Sequence, residues 1–167
     1  MPEISVNRIL IDGGVLSLVA GLYILGSMAV NPRLWLTDYP KVIQDAVPPR
    51  SRLEKRLATL WGLPFLLLLL GLPFLSGLRL HRADPTVSFT GLFLQILGVS
   101  TVFNVVDLVV LDWLLLCLIT PGFMVIPGTA GSPGYKAYGH HLRGFWAGAL
   151  SSVVLSALMA AGLRYFG

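Results

Sequence analysis

Two carboxylic acids stand in a stretch that otherwise carries no charge. Between positions 85 and 135 the only charged side chains are Asp107 and Asp112. An ionisable group in apolar surroundings is costly, so it calls for a partner or a task. On an α-helix Ser100, Asn104 and Asp107 fall on one face, and Asp112 lies about 140° round from Asp107. The Ser100–Asn104–Asp107 stripe suits a cavity lining in which Asp107 acts as proton acceptor, counter-ion or ligand anchor. The same stripe would also serve to hold helices in register. The two aspartates do not pair on a straight helix, which argues against a two-carboxylate catalytic site. Asp112 is expected to contact Arg143 or a histidine.

A second titratable group begins the last apolar segment. Tyr135, Tyr138 and His141 are spaced by three and share a helical face. His140, His141, Tyr135, Tyr138 and Trp146 make an aromatic, titratable cluster for which an acid–base or metal role with Asp112 is one reading, and anchoring at a membrane interface is the plainer one. Metal-binding histidines on one helix prefer spacing of three or four. Adjacent His140 and His141 point apart, so no metal site is expected. A haem between two histidines would need His81, which the topology below puts on the opposite side. The ligand-binding candidates are therefore Ser100, Asn104, Asp107, Asp112, Tyr138 and His141. No catalytic residue or cofactor is assigned: no nucleophile elbow, zinc-protease helix or dinucleotide fingerprint is present. Gly128-Thr-Ala-Gly131 lacks the lysine of a phosphate loop.

The elements that carry these residues follow from composition. Hydrophobic types make up 55% of the 167 residues and charged types 12%. A soluble domain carries about 25% charged residues. The apolar excess must face lipid, and the expected fold is an all-α, polytopic transmembrane helix bundle of about four spans in a single membrane domain, 1–167. Net charge is +4, and half of the twelve Lys and Arg fall within 33–56. Basic residues beside apolar spans face an anionic membrane surface, so the lipid bilayer is the expected partner and nucleic acid is not. The single cysteine, Cys117, leaves no intramolecular disulfide to form.

A helix needs about 20 mostly apolar residues to cross a hydrocarbon core of about 30 Å. The spans are predicted at 9–30, 57–78, 89–120 and 142–163. The first reads as a retained span rather than a cleavable signal. Ser51-Arg-Leu-Glu54 fits a capping box ahead of the second, which contains Pro64 and Pro73. The third would be about 48 Å long, either one tilted or protruding helix or two segments, which would make five in all. Eight Lys and Arg flank the first and third loops against four on the other side. By the positive-inside rule those two loops are expected in the cytoplasm. Trp35, Leu36, Tyr39, Val42, Ile43 and Ala46 recur at helical spacing after the first span. They predict a short amphipathic interfacial helix with Trp35 and Tyr39 at headgroup level. The Gly- and Pro-rich loop 120–134 is expected to dip into the membrane edge or cap a cavity.

Small residues recur every four positions on the fourth span: Gly144, Gly148, Ser152, Ser156 and Ala160. Such stripes let helices approach closely, and Gly13, Ser17 and Gly21 form a shorter one on the first span. The two stripes are expected to pack together, or the longer one to bind a second copy or a partner subunit. The leading functional expectation is binding, with processing an open extension, of a small hydrophobic or lipid-like molecule in a cavity lined by the third span. A non-catalytic membrane subunit and an oligomeric channel or proton-coupled carrier are the alternatives.

Overall fold

A computed structural model describes residues 5–166, with side chains to 165, and every regular element among them is helical. The elements are α1 (Val6–Val30), a 3-10 segment (Pro32–Asp38), α2 (Lys41–Gln44), α3 (Arg52–Ala83), α4 (Phe89–Val106) and α5 (Tyr138–Phe166). α4 continues without a break into a π-helical segment, Asp107–Ile119. Four helices are long and apolar enough to cross a membrane: α1, α3, the joined Phe89–Ile119 rod and α5. The third span is thus one helix, not two. This is the build of a multi-pass membrane protein, and its outer surface agrees. Leu60, Leu63, Leu66 and Leu67 of α3 are all at least half exposed or nearly so, a continuous apolar face that water would not tolerate.

Local signals start and stop these helices. Ser51 accepts from the Glu54 N–H at 3.2 Å, and Glu54 accepts from the Ser51 N–H at 2.7 Å, closing the predicted capping box. α3 runs unbroken through Pro64 and Pro73. The π-segment ends at Thr120, whose backbone is left-handed (φ 53°) and whose N–H reaches back five residues to Leu115 O at 2.7 Å. The Lys136 ammonium then donates to the freed carbonyls of Cys117 and Leu118 and to Thr120 Oγ1. A cation at a helix C-terminus satisfies both the unpaired carbonyls and the dipole.

The Phe89–Ile119 rod is the centre of the bundle and packs on α1, α3 and α5. Leu16 and Ala20 of α1 meet Val99 and Phe103 in mid-bundle. Leu80, Leu92, Ile96, Ala160 and Leu163 close one end. Ile24, Tyr39, Ile43, Leu111, Met124 and Tyr135 close the other.

The small-residue stripes do not face each other. A Cβ on Gly13 would lie 2.6 Å from Val102 Cβ, so the α1 stripe is seated on α4. The α5 stripe is seated on α4 too: Asn104 Nδ2 donates to Ser152 Oγ at 3.1 Å, and Asn104 Oδ1 lies 3.0 Å from where a Gly148 Cβ would be. The central rod separates α1 from α5 along this face.

The segment after α1 also differs from expectation. It is two short turns rather than one amphipathic helix, because Tyr39 precedes Pro40 and takes an extended conformation (φ −78°, ψ 153°). The proline ring disfavours helical geometry in the residue before it. Tyr39 is not turned outward: it is 1% exposed, and its hydroxyl donates to Met124 O at 2.7 Å. Its ring meets Tyr135 edge-on at 6.0 Å. Gly134 lies so close that a Cβ there would be 2.5 Å from Val42 Cγ1. The first and third loops therefore form one packed cap at the same end of the bundle.

Candidate functional site

Beneath that cap lies a cavity of about 520 Å³, bounded by α1, α3, the central rod and α5. Its polar lining is Thr37, Asp38, Asn104, Asp107, Asp112 and the pair His140–His141. Trp35, Phe65, Phe103 and Phe145 supply aromatic walls. Four of the six residues expected to bind a ligand are thus brought together: Asn104, Asp107, Asp112 and His141.

The π-winding makes this possible. On an α-helix Asp107 and Asp112 would diverge. Where hydrogen bonds run from each residue to the fifth before it, the turn is wider and a residue five positions on falls nearer its starting face than it does on an α-helix. Both aspartates consequently line one cavity, on a helix that is not wound as the straight α-helix on which they do not pair.

Asp112 Oδ1 lies 3.0 Å from His141 Nδ1, and the His141 side chain is only 6% exposed. A carboxylate on one ring nitrogen fixes the ring's orientation and tautomer. The other nitrogen, Nε2, is buried without a hydrogen-bond partner among the described residues. His140 Nε2 donates to Asp38 O at 3.0 Å, tying α5 to the first loop. The Asp107 carboxyl makes no hydrogen bond to another described residue, while its backbone N–H donates to the carbonyls of Phe103 and Asn104. Asp38 is open on one side at the cavity mouth, yet the surrounding protein raises its carboxyl pKa. Desolvation is the largest cause, Asp112 adds to it, and Arg50 and His140 oppose it.

No family model matches the chain, and comparisons with curated proteins and with solved structures give no match. The site must be read from its own geometry.

Ser100 and Tyr138 stand outside this cavity. Ser100 Oγ donates to Ile96 O at 3.1 Å, and the residue lines a second, smaller cavity of about 230 Å³. Tyr138 is 39% exposed and stacks edge-on against Trp113. The second cavity is walled by Leu66, Leu69 and Leu70 of α3, by Ser151, Leu155 and Met159 of α5, and by Phe103 and Asn104 beneath. Leu69, Phe103, Asn104 and Gly148 line both spaces, so the two adjoin. Leu66 and Leu155 are also exposed on the exterior, which leaves the second space open sideways between α3 and α5. Among the described residues no three His, Cys, Asp or Glu side chains converge as metal ligands.

Sequence reasoning missed Asp38 and Thr37, which reach the cavity only because the first loop folds inward. It also missed a polar clamp at the other end of the bundle. Ser76 Oγ donates to Asp12 Oδ2 at 2.5 Å, and Gln95 Nε2 donates to Ser76 Oγ at 2.8 Å. Arg79 pairs with Asp12 at 3.7 Å. Asp12 is thus held by α3 and, through Ser76, by α4, rather than left to water or headgroups.

Proposed function

We propose that this protein binds a lipid-like amphiphile lengthwise in the groove between α3 and α5. Its polar head would lie among Asp107, Asp112 and His141, and its chain against Leu66, Leu69, Leu155 and Met159. The observation that carries this reading is the polarity gradient along two adjoining cavities, acidic under the loop cap and apolar where the groove opens sideways. A combined space of this size is within the range of small-molecule sites. The capping loops are then the ones expected in the cytoplasm, with the Pro32–Gln44 turns at the interface. The excess of basic residues on that side supports this arrangement.

Gly144 offers the test. It lines the larger cavity and has nothing within 4 Å of an added Cβ, so a side chain can start there without a backbone clash and Gly144→Phe should take up space in the cavity. Native mass spectrometry of the purified chain should find an amphiphile on the parent and none on Gly144→Phe, the variant still unfolding cooperatively on heating. Equal occupancy in both would overturn the proposal.

A further inference from the structure

Resting on the groove reading, the cavity chemistry goes one step further, to the head of the occupant. The free polar groups of the larger cavity are nearly all acceptors. The Asp107 carboxyl has no hydrogen bond to another described residue, its backbone N–H alone being bonded, to α4 carbonyls. Asn104 spends one of its two N–H donors on Ser152 and keeps its carbonyl oxygen. In a neutral imidazole whose Nδ1 proton faces Asp112, Nε2 is an acceptor. That nitrogen is buried, unpartnered and carried by a ring that lines the cavity. Among the described lining residues there are three carboxyl groups and no Lys or Arg. Arg50 and Lys55 stand on the far side of Asp38, in a neighbouring surface cleft. The half-buried carboxylates, Asp107 and Asp112, have no Lys or Arg beside them in the described lining, and a neutral His141 ring brings no counter-charge.

A carboxylate half withdrawn from water without a counter-charge is unfavourable, and a buried unpaired acceptor such as His141 Nε2 costs the desolvation it suffered. An occupant that brings both positive charge and N–H donors removes both costs. The aromatic walls of Trp35, Phe65 and Phe145 favour the same head, because a cation is drawn to a ring face. We infer that the head of the bound amphiphile is a protonated primary amine, placed against Asp107 and within reach of His141 Nε2. An anionic head is repelled by this lining. A quaternary ammonium satisfies the charge but leaves the acceptors without donors.

The experiment uses the full chain in nanodiscs of phosphatidylcholine, with empty nanodiscs as background. Binding is read from tryptophan fluorescence and native mass spectrometry. The probes are stearylamine, its N-acetyl derivative, stearyltrimethylammonium and ethanolamine. Stearylamine is expected to bind at least about tenfold more tightly than the other two long-chain probes, as one charge-assisted hydrogen bond warrants. Ethanolamine, which lacks the chain, is expected to bind weakly. Asp107→Asn should erase the preference among the long-chain probes while keeping their shared binding, and Asp107→Glu should restore it. Equal binding of stearylamine and the N-acetyl probe would overturn the amine inference and leave the groove reading standing. Equal binding of stearylamine and stearyltrimethylammonium would overturn the requirement for N–H donors. Tight binding of ethanolamine would show a site for free amines, and absence of all long-chain binding would sink the groove reading itself.

Discussion

The Tyr39 hydroxyl donates to the Met124 carbonyl at 2.7 Å, across 85 residues of sequence and between two loops that flank different spans. Both groups are buried, Tyr39 and Met124 each being 1% exposed. This bond and the edge-on Tyr39–Tyr135 contact close the cap over the larger cavity. Tyr39→Phe keeps the ring contact and strands the Met124 carbonyl. The expected cost is about 1–3 kcal/mol, seen as a lower unfolding temperature in detergent and faster amide exchange over 120–136. Unchanged exchange in that loop would show that the cap does not depend on the bond.

Gly13 and Gly14 are neighbours with opposite environments. A methyl group on Gly13 would meet Val102 Cβ at 2.6 Å, and one on Gly14 meets nothing within 4 Å. Gly13→Ala should therefore destabilise by about 1–3 kcal/mol through overpacking. Gly14→Ala should be neutral or slightly stabilising, since alanine is the better helix former by about 1 kcal/mol. Equal unfolding temperatures for the two variants would mean that α1 does not pack on α4 in this register.

Asp12 and Ser76 join α1 to α3 within 2.5 Å. Interhelical hydrogen bonds in membranes couple by about 0.6 kcal/mol on average and up to about 1.7. A double-mutant cycle of Asp12→Asn and Ser76→Ala, measured by reversible unfolding in mixed micelles, should give a coupling in that range. A coupling indistinguishable from zero would assign Asp12 to the Arg79 contact alone.

Asp38 predicts a pH effect. Desolvation holds its carboxyl pKa above the ordinary value, so the folded chain binds this proton more tightly than the unfolded chain does. The resulting penalty is absent below the unperturbed pKa of about 3.9 and is complete above the raised one. Asp38→Asn should thus raise the unfolding temperature at about pH 7 and leave it unchanged at about pH 3. A stabilisation of equal size at both values would contradict the assignment, as would a loss of stability near neutrality.

Much of this architecture was legible in the residues because its causes are local. Too few charges to cover a surface in water, runs long enough to cross a bilayer and the Ser51–Glu54 box each act within a few residues. They determined the solvent, the number of spans and where the second span begins. Asn104, Asp107, Asp112 and His141 could be singled out as costly polar groups in apolar runs. What they face was decided by tertiary packing. The phase between Asp107 and Asp112 depends on the hydrogen-bond register of the helix, which side-chain spacing does not encode. Tyr39 looked like an interfacial aromatic until the third loop supplied Met124 as its partner, and the partner of Asp12, Ser76, comes from another helix. The small-residue stripes announced close packing but not the partner, because any helix can fill a groove of glycine and serine. Only the central position of Phe89–Ile119 decides that both stripes rest on it.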